Sequence, residues 1–169
     1  MTPVLVRREQ TQDFDAVRVV NERAFGRPGE ARIVDALRGL ADAISLVAVF
    51  DHQVVGHILF TPVSIGDADA PLSATGLAPM AVLPEFQRRG IGSALVNAGL
   101  DACRAAGHDL AVVLGHPDFY PRFGFVVAAD HQLSCEYPAP REAFMVVELR
   151  PGALRRARGL ARYRPEFAS

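Results

Sequence analysis

The chain has 169 residues, a net charge of −1, and 50% hydrophobic and 22% charged residues. These values are typical of one globular domain spanning residues 1–169, and they exclude a disordered chain, a collagen and a disulfide scaffold. The near-neutral charge gives no reason to expect a nucleic-acid or membrane partner. No apolar run resembles a signal peptide or a membrane span. We therefore expect a cytoplasmic protein that is a monomer or a homodimer.

Helical apolar spacing and short β-rich runs define the first half of the chain. The predicted elements are a strand at 4–7, helices at 11–25 and 30–38, and strands at 45–50, 54–63 and 72–82. A hairpin at 51–53 joins two of these strands, and a turn is predicted at 66–71. Gly76 and Pro79 interrupt the last strand, which predicts a bulge or a splayed strand there.

The second half alternates one clear helix with short strands. The predicted elements are a helix at 90–106 ended by Gly107, strands at 110–114, 125–128 and 143–149, and a short helix or turn at 117–123. This order describes an α/β (α+β) fold with a mixed, mainly antiparallel sheet, one parallel junction and flanking helices. We expect the arginine-rich tail, from about residue 150, to be a solvated surface packed on the domain or extending from it. The alternative is that it binds an acidic acceptor or partner.

A strand runs through a loop into the long helix, and this junction carries the chemistry. Gly90 and Gly92 let a ligand approach the backbone, and the first helical N–H groups carry partial positive charge. Arg88 and Arg89 add two full charges, so the loop predicts an anion site suited to a pyrophosphate. A P-loop would need a lysine followed by Ser or Thr after its last glycine, and a Rossmann loop would need Gly or Ala at Leu95. Neither motif fits.

Three segments, in the expected order, resemble the GCN5-related N-acetyltransferase (GNAT) superfamily. Gln87-Arg-Arg-Gly90-Ile-Gly92 resembles its acetyl-CoA loop, Gln/Arg-x-x-Gly-x-Gly/Ala. Met80-Ala-Val-Leu-Pro84 resembles its splayed fourth strand, and Tyr120-Pro-Arg-Phe-Gly-Phe125 resembles its Tyr-x-x-x-Gly-Phe element. Residues 55–58, 77–79, 114–117 with Phe119 and Tyr120, and the tail at 159–167 narrow the resemblance to the YhbS-like group. The resemblance implies a GNAT fold with its sheet splayed at the fourth strand, acetyl-CoA as co-substrate, and direct attack by an amine in a ternary complex.

The resemblance also implies roles for individual residues. The backbone N–H groups of Met80 and Val82, with Ala81 between them, hold the acetyl carbonyl and the pantetheine arm. The pyrophosphate lies on the loop formed by Gln87, Arg88, Arg89, Gly90, Ile91, Gly92 and Ser93. Tyr120 contacts the cofactor and is the general acid that protonates the departing CoA thiolate. Val113 stands where many members have an asparagine that contacts the pantetheine arm.

The sequence leaves the general base and one pantetheine contact open. His57, on the predicted third strand, is the candidate base. A base is needed because a primary amine must lose a proton before it attacks. Glu22, Glu30 and a water relay are the alternative acceptors of that proton. His116 or Asp118 is the candidate replacement for the missing asparagine.

The two cysteines carry no predicted chemistry. Cys103 is predicted to lie in the core, and Cys135 in a loop as a bystander. Their spacing predicts no metal site. The leading function is an acetyl-CoA-dependent N-acetyltransferase whose acceptor is a primary amine of a small molecule or a protein. The alternatives are a non-catalytic CoA-binding or regulatory module on the same fold, and a different nucleotide-binding protein, which the loop disfavours.

Overall fold

The computed structural model describes residues 3–66 and 72–168. Its strands are β1 (Leu5–Arg8), β2 (Ile44–Phe50), β3 (Gln53–Ile65), β4 (Ala74–Val82), β5 (Leu110–Leu114), β6 (Val126–Val127), β7 (Leu133–Cys135), β8 (Phe144–Glu148) and β9 (Gly159–Arg162). Its helices are α1 (Phe14–Phe25), α2 (Gly29–Leu37), α3 (Ile91–Ala105) and α4 (Ala153–Arg156). The turn predicted at 66–71 lies, apart from Gly66, outside the described residues.

Helical spacing of apolar residues explains the first two helices. Val17 and Val20 are buried on α1, as are Ala31, Val34 and Leu37 on α2. Helix α1 ends where Gly26 adopts a left-handed conformation, with φ of 70°, and its N–H group bonds the last turn. Both helices and the long α3 are where the sequence predicts them, although the first turn of the predicted 11–25 helix is a short 3-10 turn.

The strands form an open, mainly antiparallel sheet. Their order is β1-β2-β3-β4-β5-β8-β6, and β4 and β5 form the parallel pair within this row. The predicted mixed sheet with a parallel junction at this point is therefore confirmed. The sequence did not predict β7, α4 or β9. Because these elements have only three or four residues each, they are too short to show a hydrophobic period.

The sheet opens between β4 and β5, which confirms the predicted splay. Strand β4 pairs with β5 only from Ala74 to Leu77, whereas it pairs with β3 as far as Val82. The register between β3 and β4 shifts opposite Pro79, which follows a cis peptide bond. Proline has no N–H group to donate to a neighbouring strand. Beyond Leu77, one edge of β4 is therefore open.

The helices lie on opposite faces of the sheet. Gly56 of β3 faces α3, since a Cβ there would lie 3.1 Å from Leu95 Cδ1 and 3.2 Å from Ile91 Cγ2. The next residue, His57, faces α1 because its ring contacts Asn21. Neighbouring residues of a strand point to opposite faces. We call these the α3 face and the α1/α2 face.

The C-terminal tail is part of the sheet rather than a solvated extension. Strand β9 pairs antiparallel with the end of β3 and parallel with β7. Ala157 and Ala161 are 4% and 0% exposed, whereas the side chains of Arg150 and Arg156 are 58% and 51% exposed. Phe167 then packs against the core of the α1/α2 face. Only the arginine side chains fit the predicted solvated surface, because strand pairing holds the backbone.

No helix within residues 3–66 and 72–168 combines the length and the apolar character that a bilayer span requires.

Candidate active site

The open edge of β4 presents backbone N–H groups at two of the predicted positions. Leu83 N donates to Val55 O at 2.9 Å, so the N–H group of Leu83 points toward β3. Backbone groups alternate in direction along an antiparallel pair. The N–H groups of Met80 and Val82 therefore point away from β3, to the side that β5 has left. The N–H group of Ala81 points toward β3, so Ala81 spaces the two donors and offers none to the open edge.

Side-chain contacts fix the loop between β4 and α3. Gln87 Nε2 donates a hydrogen bond to Val82 O at 3.0 Å. Glu85 accepts two hydrogen bonds from the Arg23 guanidinium of α1, at 2.7 and 2.8 Å. The Gln87 side chain thus helps to fix the shape of the loop, and its predicted contact with a pyrophosphate stays a prediction.

The N-terminus of α3 follows this loop and faces solvent. Gly90 caps the helix with φ of 82°, a left-handed conformation that favours glycine. The first helical hydrogen bond runs from Ala94 N to Gly90 O, at 3.0 Å. The N–H groups of the three preceding residues, 91–93, therefore have no partner within the helix. The exposed Arg88 and Arg89 lie beside them in the loop, so backbone dipoles and full positive charges adjoin, as an anion site requires.

Phe119 connects the start of α3 to the tyrosine turn, the 3-10 turn Tyr120–Phe123. A Cβ on Gly92 would lie 3.6 Å from Phe119 Cζ and 3.6 Å from Met80 Cε. The rings of Phe119 and Tyr120 meet edge to face, with centroids 5.0 Å apart. The structure therefore brings the strand edge, the helix start and the tyrosine turn together. The packing of Phe119 beside Tyr120 follows from their adjacency, but the sequence gives no sign of its approach to Gly92, which lies far away in the chain.

Tyr120 lies in a packed pocket with 6% of its surface exposed. Its ring contacts Phe125 at a centroid distance of 5.5 Å. A Cβ on Gly115 would lie 2.5 Å from Tyr120 Cε2, so the ring occupies the space that a side chain would need there. Burial raises the pKa of Tyr120 to about 12. The hydroxyl therefore holds its proton at neutral pH, as a general acid must.

The position of the missing asparagine is apolar. Val113 is 1% exposed within the core. The carbonyl of His116 accepts a hydrogen bond from Phe119 N at 3.1 Å, and the carbonyl of Asp118 accepts one from Arg122 Nη2 at 3.4 Å. His116 and Asp118 therefore help to shape the tyrosine turn, and their predicted contact with a pantetheine arm stays a prediction.

A chain of hydrogen bonds fixes the protonation of His57. Ser45 Oγ donates to Glu9 Oε1 at 2.8 Å and lies 2.8 Å from His57 Nε2. A hydroxyl has one proton, so Nε2 must carry the ring hydrogen and donate it to Ser45. Nδ1 is then an acceptor, which Asn21 Nδ2 approaches to 3.3 Å while also donating to Val17 O. The imidazole is held as the neutral Nε2–H tautomer.

This arrangement corrects the interpretation of His57 as the general base. The ring is 0% exposed, and both nitrogens are occupied by neighbours in the protein. Burial, together with the charge of Arg38, lowers the pKa of His57 to about 3. A base needs a free lone pair within reach of the proton it removes. His57 instead joins α1, β2 and β3.

Because His57 is buried in its neutral form, we expect the folded protein to lose stability in acid. In the unfolded chain a histidine takes up a proton near pH 6.5, whereas the folded protein does so only near pH 3. The contribution of the buried neutral His57 to the free energy of unfolding is complete above pH 6.5. Below pH 6.5 it falls by up to about 1.4 kcal/mol per pH unit. Chemical denaturation from pH 7 to 4 should show a shallower slope for His57→Gln than for wild type. The exposed His52 is the control: a His52→Gln slope that changes equally would contradict this account.

The two glutamates proposed as alternative bases differ in their surroundings. Glu30 forms an ion pair with Arg27 at 2.8 Å, and the hydrogen bond lowers the pKa of its carboxyl group. A lowered pKa makes Glu30 a weaker base. Glu22 is half-buried in the last part of α1, one residue after Asn21.

The cysteines are placed apart from this site. Cys103 is 0% exposed, which confirms its predicted core position, and burial raises the pKa of its thiol to about 12. Cys135 lies in β7 rather than in a loop, and its Sγ accepts a hydrogen bond from Tyr137 N at 3.4 Å. The described residues include no group of three or more His, Cys, Asp or Glu arranged to hold a metal ion.

Known proteins are similar to this chain over most of its length. Residues 5–128 match the family model described as an acetyltransferase (GNAT) domain. The uncharacterized N-acetyltransferase YhbS of Escherichia coli K12 is 36% identical over 167 residues, which are 97% of this chain and 98% of that protein. The uncharacterized N-acetyltransferase YjhQ of the same strain is 41% identical over 135 residues, which are 77% of this chain and 74% of that protein.

Two solved structures are similar over almost the whole chain. The GNAT family N-acetyltransferase YhbS from Escherichia coli, in complex with CoA, matches with a TM-score of 0.92 and 35% identity, covering 100% of this chain and 94% of that one. A GNAT family acetyltransferase from Brucella melitensis, in complex with acetyl-CoA, matches with a TM-score of 0.78 and 36% identity, covering 98% of each chain.

Proposed function

The chain belongs to the GNAT family of N-acetyltransferases, and on that premise we propose where acetyl-CoA binds and how its acetyl group reaches a primary amine. The observation that carries the proposal is the path from the open edge of β4 to the N-terminus of α3. The N–H groups of Met80 and Val82 lie at one end of this path, and the helix start at Gly90 lies at the other. A thioester on a long arm that ends in a pyrophosphate suits both ends.

The pyrophosphate end of the site is the start of α3. The N–H groups of residues 91–93 donate to the phosphate oxygens, and Arg88 and Arg89 neutralise their charge. Each charge-assisted hydrogen bond contributes about 1.5–3 kcal/mol to affinity. Gly90 and Gly92 keep side chains out of the way of the phosphates.

The acetyl end of the site is the open edge of β4. The amine nitrogen attacks the thioester carbon, and the negative charge that develops on the oxygen is stabilised by the N–H groups of Met80 and Val82. One such donor is typically worth about 10²–10³ in rate. A new C–N bond forms as the C–S bond breaks. Tyr120 gives its proton to the departing thiolate and regains one from solvent.

The proton of the amine needs a destination other than His57. A primary amine with a pKa of about 10.4 is neutral in only about one molecule per thousand near pH 7.4, a cost of about 4 kcal/mol. Because Glu30 is paired with Arg27, water at the open edge or the half-buried Glu22 takes this proton.

Thermal unfolding with different nucleotides tests the donor. At 100 times the dissociation constant, CoA adds about 2.7 kcal/mol of stability, which corresponds to a rise of roughly 5–10 °C in Tm. NAD and ATP should have little effect, since neither carries a pantetheine arm to lie along β4. Stabilisation by NAD or ATP without stabilisation by CoA would show that the site is built for another nucleotide.

A thiol-release assay with acetyl-CoA tests the transfer. The acceptor panel should contain spermidine, L-lysine, glucosamine, an unblocked peptide, ethanolamine and propylamine. We expect CoA release that depends on one or more of these amines. A protein that binds CoA and releases no thiol with any of them would instead be the non-catalytic CoA-binding module.

A further inference from the structure

Tyr163 lies on the α1/α2 face of the sheet, just after β9. Its ring rests on the backbone of β4, because a Cβ on Gly76 would lie 2.7 Å from Tyr163 Cε1. The rings of Tyr137 and Phe167 flank it, with centroids 6.0 and 5.7 Å away. Phe167 packs against the residues that α1, α2 and β3 bury on this face. The C-terminal segment therefore covers part of the face opposite α3.

The hydroxyl of Tyr163 is buried without a hydrogen-bond partner among residues 3–66 and 72–168. The same is true of Thr61 Oγ1 and Asn21 Oδ1. Thr61 is paired with Gly76 across the two strands, so its side chain lies on the same face as the Tyr163 ring. Asn21 approaches this face from α1, above His57.

Buried polar groups in native proteins are almost always hydrogen-bonded, to the protein or to another molecule. Thr61 and Asn21 are fully buried, whereas Tyr163 is partly exposed, so Tyr163 is the residue of the three that a molecule from outside the chain can contact.

Tyr163 also lies at the mouth of the opening between β4 and β5. Its ring rests on Gly76, which is paired with Val112 of β5. The next pair, Leu77 with Val113, is the last one before the two strands separate. Tyr120 packs against Gly115, directly beyond the end of β5. Burial raises the pKa of Tyr163, and the charges of nearby groups, Tyr120 among them, raise it further.

We propose that Tyr163 is part of the acceptor site and that its hydroxyl hydrogen-bonds a polar group of the amine compound as it enters from the α1/α2 face. The inference rests on the proposed acetyl transfer. The N-terminus of α3 begins on the other face, so an acceptor that approaches from the α1/α2 face reaches the thioester without displacing the cofactor.

The unpaired hydroxyl of Tyr163 also indicates the chemical class of the acceptor. A hydroxyl can donate one hydrogen bond and accept others. An amine that carries a hydroxyl, amide or second amine group satisfies it, whereas an alkyl amine leaves it unpaired. A site of this kind discriminates against analogues that lack the polar group. We therefore expect the wild-type enzyme to prefer ethanolamine over propylamine, which have similar size.

Tyr163→Phe separates a ligand-binding role from a structural one. Removing a hydroxyl that has no partner in the protein should leave the Tm unchanged or raise it. The dissociation constant of CoA should stay within about twofold. For the fastest amine of the panel, KM should rise and kcat/KM should fall about tenfold, and the preference for ethanolamine should shrink by a similar factor. Tyr137→Phe, which removes a neighbouring hydroxyl, is the control and should leave all five values near wild type.

The outcomes divide clearly. An active wild-type enzyme whose Tyr163→Phe variant keeps its KM for the amine and its preference for ethanolamine overturns this inference alone. A lower Tm with unchanged kinetics does the same, because it assigns the hydroxyl to the fold. A wild-type protein that binds CoA and acetylates no amine overturns the proposed function, and this inference falls with it.

Discussion

The Gly90→Val protein should fold and yet bind CoA at least 100-fold more weakly than wild type. A Cβ at this position meets no protein atom within 4 Å, so the side chain projects into the open space at the start of α3. That space is where we propose the pyrophosphate binds. Losing two charge-assisted hydrogen bonds removes about 3–6 kcal/mol, and 1.4 kcal/mol is a tenfold change in affinity.

Backbone strain is the competing explanation for such a loss, and a second glycine controls for it. Gly90 has φ of 82°, and valine in a left-handed conformation costs about 1–2 kcal/mol. Gly152 has φ of 87°, begins α4 and also has open space around its Cβ. Gly152→Val should therefore lose similar stability and keep full CoA affinity.

Isothermal titration of wild type, Gly90→Val and Gly152→Val with CoA gives the affinity. Chemical denaturation of the same three proteins gives the free energy of unfolding. A folded Gly90→Val protein with wild-type affinity for CoA would place the cofactor elsewhere. Gly90→Asn refines the test, since asparagine tolerates left-handed conformations better than valine. A loss of CoA affinity in Gly90→Asn is therefore caused by the side chain that fills the phosphate space, and not by backbone strain.

Tyr120→Phe should lower kcat by roughly 10–10³ while CoA affinity changes little. The substitution keeps the ring that packs against Phe119 and Phe125, so the pocket stays filled. The variant lacks the proton that the thiolate receives. The effect is smaller than for a poor leaving group, because a thiol with a pKa near 8.5 leaves readily without help. The rate with the fastest amine of the panel, at saturating acetyl-CoA, measures it.

The pH profile supplies a second readout for Tyr120. Its pKa of about 12 in the folded protein keeps the acid protonated between pH 6 and 10. Over that range the wild-type rate should therefore rise with pH as the acceptor amine loses its proton, without a fall caused by Tyr120. The variant should follow a parallel curve at a lower level. Wild-type kcat in Tyr120→Phe across this range would mean that the hydroxyl only packs.

Features of the site that depend on a few consecutive residues could be predicted from the sequence, whereas features that depend on residues distant in the chain could not. The glycine loop and the interrupted β4 were predictable, because their conformations follow from a few consecutive residues. The role of His57 was not, since its neighbours Asn21 and Ser45 come from α1 and β2. A lone histidine in an apolar strand gives no sign of such partners.

Tyr163 shows the same limit for the acceptor side of the molecule. Strand β9 has four residues and is held by pairing with β3, almost one hundred positions earlier in the chain. An arginine-rich tail of low hydrophobic periodicity looks solvent-exposed when it is read alone. Its contribution to the face of the sheet appears only when the long-range pairing is known.

The bonds that hold the loop before α3 also bear on the entropy of cofactor binding. The Gln87–Val82 hydrogen bond and the Arg23–Glu85 ion pair both form within the protein alone. A loop that is already ordered loses less conformational freedom when a ligand arrives, so more of each contact appears as affinity. Residues that never touch the cofactor can then set how tightly it binds. Because the Arg23–Glu85 pair is about half exposed, salt screens it, and the preorganisation of the loop varies with ionic strength.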